Sequence, residues 1–387
     1  MRKIYLDNCA TTAAGETVAE KVRWMMTENF GNPSSLHGVG SEAYMAVNTA
    51  RHQVAKVLAA HTSHVYFTSG GTESNNFAIF GAARSNMAVG KNIVTTAIEH
   101  SSVRSPIARL ESEGFHVSRV APRSLEGCIS AGDIIEAVND ETSLLSFMYV
   151  NNETGEILPV RDIIAGVRKK NPRTLIHCDC VQGFGKLPFR LFEYDVDFLS
   201  ASAHKLHGPK GVGCLYIKDL ARFSPRLFGG SQESGVKPGT ENTALIAGFG
   251  EACDETLLHF HDNLAHAEKL RAELLAGLKG FESVRINSPE HSSPYIVNFS
   301  LPGYEASDIV SHMSSIGIYI SAGSACSRGA RSHVISALDR SEEEIAGALR
   351  LSFSRYNSLD DIAAFLESLK DYIRRSNPRR RGVCTVS

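Results

Sequence analysis

The chain alternates short apolar runs with longer stretches in which apolar residues recur every three or four positions. The apolar runs cover residues 64–68, 92–96, 144–150, 175–178, 198–201 and 213–217. The run LLSFMYV at 144–150 holds a single serine among apolar residues. Runs this continuous predict strands buried on both faces. Residues 73–84, 102–113 and 160–170 carry the helical period between them. Strands alternating with helices predict an α/β fold, a mainly parallel sheet flanked by helices on both faces.

The rhythm changes near residue 250. Leu and Ala then fall at helical spacing with charges between them, which reads as one long helix over 251–279. A strand at 295–300, a helix at 305–316, the segment IYISAGSACS and more helix follow. This predicts a large domain at 15–257 and a smaller α+β domain made of 1–14 and 258–387.

Composition narrows the classes. With 43% apolar residues in 387, the chain has material for a sizeable core and is not disordered in bulk. Forty basic and 42 acidic residues leave a net charge of -2, so no direct nucleic-acid contact is expected. The basic tail RRSNPRRRGVC reads as a solvated terminus. No apolar stretch is long enough for a bilayer, so no membrane partner is expected. Asp7 and Asn8 interrupt the N-terminus before an export signal forms. Eight cysteines in so long a chain then predict reduced thiols and a cytoplasmic protein. No paired Cys-x-x-Cys is present, and no metal site is predicted. Cys178 and Cys180 are spaced to project from opposite faces of a strand.

Three constellations carry chemistry. VYFTSGGTESNN (65–76) joins a strand to a helix through Ser69, Gly70, Gly71 and Thr72. Glycines let the backbone approach a ligand, and a helix start favours an anion. It reads as a phosphate cradle or as an ordinary turn with Thr72 as N-cap. In LIHCDCVQ (175–182), Asp179 ends an apolar strand, where open α/β sheets bind ligands. Asp179 reads as a ligand partner or as a cap of the next element. In DFLSASAHKLHGPKGVGCLYI (197–217), Lys205 follows an apolar strand. A desolvated lysine becomes a nucleophile or base, and a surface lysine is the bland reading. A Ser-x-x-Lys hydrolase reading lacks its partner motifs. Taken together, a phosphate cradle, an acid and a lysine at strand ends are what pyridoxal phosphate needs.

The motifs YLDNCATT, FGNPSSLH, TSGGTESNN, EHSSV, VNNETG, HCDCVQ, SAHKLHGPKG, GTEN, SAGSACS and LRLSFSRYN run in order along nearly the whole chain. Together they resemble class V, fold-type I pyridoxal phosphate enzymes, in particular the NifS/IscS-type cysteine desulfurases. The resemblance implies pyridoxal 5'-phosphate as cofactor and L-cysteine as substrate. It implies a homodimer with shared active sites and a sulfur-acceptor protein, an iron–sulfur scaffold or a thiolation enzyme. By the same resemblance Lys205 forms the internal aldimine, Asp179 pairs with the pyridinium nitrogen and His100 stacks on the ring and shuttles protons. Gln182 and Asn152 lie at the phenolic oxygen, with Asn152 also near the substrate. Gly71, Thr72, Ser202 and His204 hold the phosphate, with Thr240 supplied by the partner subunit. Arg355 grips the substrate carboxylate, and Cys326 is the nucleophile that becomes a persulfide as L-alanine leaves.

The segment SRGARSHV after Cys326 is shorter than in many such relatives. Ser231 and Pro238 stand where relatives carry glycine and serine, and Cys9, Cys178 and Cys180 are read as structural thiols. Selenocysteine lyase activity is the nearest rival, followed by a transaminase, which has no need of Cys326. A non-catalytic scaffold that binds partners has no need of Lys205, Asp179 and Cys326 together.

Overall fold

The computed structural model describes residues 3–123, 128–323 and 331–376. Its centre is a seven-stranded sheet. After the short β1 (Ile4–Tyr5), α1 (Glu16–Thr27) and α2 (Gly38–Leu58) come β2 (Val65–Thr68), α3 (Gly71–Ser85), β3 (Asn92–Thr96), α4 (Ser101–Ser112) and β4 (His116–Val120). Then follow α5 (Ala131–Ala137), β5 (Thr142–Met148), α6 (Val160–Lys170), β6 (Leu175–Asp179), β7 (Phe198–Ser202) and β8 (Gly213–Ile217). The spatial order is β2-β8-β7-β6-β5-β3-β4. Pairs β4-β3-β5-β6-β7 are parallel, and β8 is antiparallel to both neighbours. Six strands therefore end on one edge, and only β8 runs back.

The apolar runs are continuous because both faces are covered. Val94, Leu145, Phe147, Ile176 and Leu199 face one core, shared with α2, α6 and α7 (Thr243–Leu258). Their neighbours Ile93, Leu144, Leu175 and Phe198 face another, shared with α3 and α4. Successive strand residues alternate between faces, so each run fills two cores.

Beyond α7 lie α8 (Phe260–Leu278), β9 (Arg285–Ile286), β10 (Ile296–Ser300), α9 (Ala306–Ser315) and β11 (Ile318–Tyr319). Then come α10 (His333–Ser336), α11 (Glu342–Ala346), β12 (Ala348–Ser352) and α12 (Leu359–Arg375). Strands β12-β10-β9 form an antiparallel sheet, and β1 pairs in parallel with β11. Leu6, Leu270, Phe299, Leu351 and Phe365 share a core of their own. The long helix expected over 251–279 is two helices that meet at His259. His259 departs from helical geometry, with ψ of 15°, while apolar spacing continues through the break. No helix among the described residues is long and apolar enough to cross a membrane.

Candidate active site

A cavity of about 260 Å³ opens where the strands end. Its wall holds Gly71 and Thr72 after β2, His100 after β3, Asn152 after β5, Asp179 and Gln182 at the end of β6, and Ser202, His204 and Lys205 after β7. Cys9, Ser102 and Arg350 complete the polar wall. The residues from Gly71 to Lys205 meet because the strands before them all finish on the same edge, while Cys9 and Arg350 arrive from the N-terminal strip and from β12.

Helix α3 begins at Gly71, with Gly70 as N-cap at φ +148°. No side chain caps it, so Thr72 is not the N-cap expected; it sits one residue inside the helix. A Cβ on Gly71 would meet Val181 Cγ2 at 2.7 Å, so the close approach to the next loop requires glycine. Beside this start, the buried Ser202 Oγ has no hydrogen-bond partner among the described residues. An uncapped helix start and an orphaned hydroxyl together make a fitting cup for a phosphate.

One wall is a connected hydrogen-bond network. Asp179 accepts from the Val181 N–H at 3.0 Å and from Asn75 Nδ2 at 2.7 Å. Asn75 Nδ2 also donates to Ser102 Oγ at 2.8 Å. Ser102 Oγ lies 2.8 Å from His100 Nδ1, which accepts the Ser102 N–H at 3.1 Å as the N-cap of α4. Nδ1 is thus an acceptor, and the neutral ring carries its proton on Nε2. Burial pushes the imidazole's pKa down, against the pull of Asp179, and pushes the Asp179 carboxyl up. Below this wall Glu99 is fully buried, and burial pushes its carboxyl up to about 8.

The facing wall is cationic. Lys205 Nζ donates to the Cys9 carbonyl at 2.5 Å and the Ala10 carbonyl at 2.9 Å. Burial, aided by the nearby Lys186 and Arg350, pushes its pKa down to about 8. Arg350 pairs with Asp7 at 2.7 Å and donates to the Asn152 carbonyl at 2.8 Å. Its Nε is buried without a partner among the described residues.

The family model described as aminotransferase class-V matches residues 4–365. The chain belongs to the aminotransferase class-V family. It is 39% identical over 379 residues to cysteine desulfurase IscS of Clostridium botulinum, covering 96% of this chain and 95% of that one. A solved structure titled NifS-like protein has a TM-score of 0.91 and 36% identity, covering 97% of this chain and all of the other. A second, SspA in complex with cysteine, has a TM-score of 0.80 and 32% identity over 92% of this chain and all of its own. Enzymes of this family depend on pyridoxal phosphate, and the residues present fit it. The cup at Gly71, Thr72 and Ser202, the acid at Asp179 and the amine at Lys205 face one cavity.

Among this class-V enzyme's expected site residues, Arg355 does not line the 260 Å³ cavity. It is ion-paired with Glu255 and bonded to the Tyr356 hydroxyl at 3.1 Å. It lines a neighbouring cavity of about 30 Å³ together with Lys186, His207 and Lys205, and Lys205 also lines the larger one. The arginine in the larger cavity is Arg350. Its signal was a lone charge inside the fully buried strand ALRLS. Asn75 and Ser102 were also missed, since both look like ordinary helix residues in sequence. Thr240 is exposed and outside the cavity wall. Cys326 lies outside the described residues. The chain on either side of it is anchored at the cavity. Ser321 exchanges backbone bonds with Arg350, Ser332 Oγ donates to Glu153 at 2.5 Å, and His333 Nε2 donates to the Glu99 carbonyl at 3.0 Å.

Proposed function

We infer that this protein is a pyridoxal phosphate-dependent cysteine desulfurase that leaves a persulfide on Cys326. The observation that carries the reading is the pairing of Lys205, Asp179 and the Ser202 cup in one cavity, with the chain on both sides of the Cys326 segment bonded to Arg350 of its wall and to Glu153 and Glu99, next to its Asn152 and His100. Bound there, pyridoxal phosphate supplies an electron sink for charge developing on the substrate Cα. Gly71, Thr72, Ser202 and His204 would hold its phosphate, and Asp179 would pair with its ring nitrogen. Lys205, its pKa pushed down by burial to about 8, has roughly a tenth of its amine unprotonated at neutral pH, far more than an ordinary lysine, to act as nucleophile and then as base at Cα. Neutral His100 offers its Nε2 proton as shuttle and its ring for stacking. Arg350 has the orphaned donor suited to a substrate carboxylate, so we assign it the role first given to Arg355.

Cys326 attacks the substrate sulfur as thiolate. The C–S bond of cysteine breaks, an S–S bond forms on Cys326, and the carbon product takes up a proton as L-alanine. No external oxidant or reductant enters. The persulfide sulfur then passes to an acceptor protein of iron–sulfur cluster assembly or of thiolation. We further propose the two domains at 15–257 and at 1–14 with 258–387. Exposed apolar side chains concentrate between Trp24 and Met45, which supports a homodimer in which Thr240 reaches the partner's phosphate cup. Cys9, Cys178, Cys180, Cys214 and Cys253 form no disulfide, which supports a cytoplasmic setting. The test is L-alanine formation from L-cysteine by the purified protein with pyridoxal phosphate. We expect Cys326→Ala to abolish turnover while keeping the cofactor bound. Full alanine production by that variant would overturn the persulfide step.

A further inference from the structure

Lys186 is fully enclosed between the two cavities and has no carboxylate partner among the described residues. Its Nζ donates to Gln182 Oε1 at 3.4 Å and lies 5.8 Å from the centre of the Tyr295 ring. A buried ammonium is costly, and an amide oxygen with an aromatic face is a modest return for it. The rest of its surroundings give the reason for the cost. Gln182 Oε1 also receives the Cys9 thiol, with Sγ at 3.6 Å. The Gln182 Nε2 then donates to the Cys9 carbonyl at 3.1 Å, the same carbonyl on which Lys205 Nζ sits at 2.5 Å. A continuous chain of hydrogen bonds runs from Lys186 through Gln182 and Cys9 to Lys205.

The direction of that chain is set at its far end. An ammonium has donors only, so the Gln182 oxygen must face Lys186 and its NH₂ must face Cys9 and the cavity. We propose that Lys186 is a positioning residue of the cofactor site: it fixes the Gln182 amide as a donor toward the cavity and adds a second positive charge that keeps the Lys205 amine reactive. The inference rests on the pyridoxal phosphate reading of the cavity. Lys205 is faced by Cys9 and Asp7 from the N-terminal strip, by Lys186, by Arg350 from β12, and by Asp179 and His100 across the cavity. Lys186 is faced by Cys9, Arg350, Lys205, His204 and His207. Cations dominate this side. Burial pushes the Lys186 pKa down as well, and Cys9 opposes that shift.

The experiment uses the full-length protein freed of cofactor. Trace acetylation with acetic anhydride across pH 6–10, read by peptide mass spectrometry, gives the titration midpoint of Lys205. Cofactor affinity is measured separately by pyridoxal phosphate titration. We expect K186M to raise the Lys205 midpoint by about one pH unit and to weaken cofactor binding severalfold. K186Q, a second uncharged variant, should do the same if K186M folds poorly. K186R should return the midpoint toward that of the wild type. A folded K186M or K186Q protein with an unchanged midpoint and unchanged affinity would overturn the proposal, as would K186R behaving like K186M. A residue that only fills space would lower the melting temperature and leave the midpoint alone. Failure of the wild type to bind pyridoxal phosphate would instead overturn the reading of the cavity itself.

Discussion

The two walls of the cavity are both buried and solve opposite electrostatic problems. On the His100 wall, the Asp179 carboxylate is met by neutral donors, Asn75 and a backbone N–H, and bonds continue through Ser102 to the imidazole. On the Lys205 wall, Lys205 and Arg350, with Lys186 behind them, stand against backbone carbonyls and an amide, and Asp7 pairs with Arg350. The first wall spends its hydrogen bonds on fixing geometry and a tautomer. The second leaves charge under-compensated, which makes an amine give up its proton near neutrality. A site for carbanion chemistry needs both, a fixed acid on one side and a reactive amine on the other.

Removing the amine breaks the comparison most severely. Lys205→Ala is expected to lower alanine formation by about 10²–10⁴-fold, measured with saturating cofactor. Next comes the choice between two arginines. Arg350→Lys loses the Nε donor, and with it a charge-assisted contact, and should raise KM for cysteine by about 10–100-fold. Arg355→Lys should change it little, because Arg355 is held by Glu255 outside the cavity. Equal effects would erase the distinction between them.

A smaller effect sharpens the carboxylate side. Burial pushes the Glu99 carboxyl from its ordinary value of 4.5 up to about 8 in the folded protein. Between those pH values the folded protein keeps a proton that the unfolded chain has released. Its contribution to stability is therefore complete below pH 4.5 and lost as pH rises through 8. Melting temperatures from pH 5 to 8 should fall less steeply in Glu99→Gln than in the wild type. Smallest of all is Thr72→Ala. Thr72 does not cap α3, so the stability of the cofactor-free protein, measured in urea, should stay within about 0.5 kcal/mol.

Much of this was legible before the fold was seen. The central strands were readable because burial on both faces leaves no room for charged residues, as in β5, whose polar members are only small hydroxyls. Strand β4, HVSRV, was not named because it lies at the sheet edge and most of its side chains reach water. The break at His259 was hidden because apolar spacing continues on both sides of it. The cup, the acid and the lysine were visible as motifs at strand ends. Arg350 was overlooked although strand parity pointed to it. Leu349 and Leu351 enter the core beside α12, so Arg350 between them must face the other way. The Asn75–Ser102 link joins two helices through side chains, and sequence spacing carries no trace of it.

The most direct measurement supplies the cofactor-loaded protein with one equivalent of ³⁵S-cysteine and maps the label by peptide analysis after thiol blocking. The account predicts reducible label on the peptide containing Cys326, matched by an equal amount of L-alanine. L-alanine formed with the label on another cysteine, or with none on the protein, would contradict it.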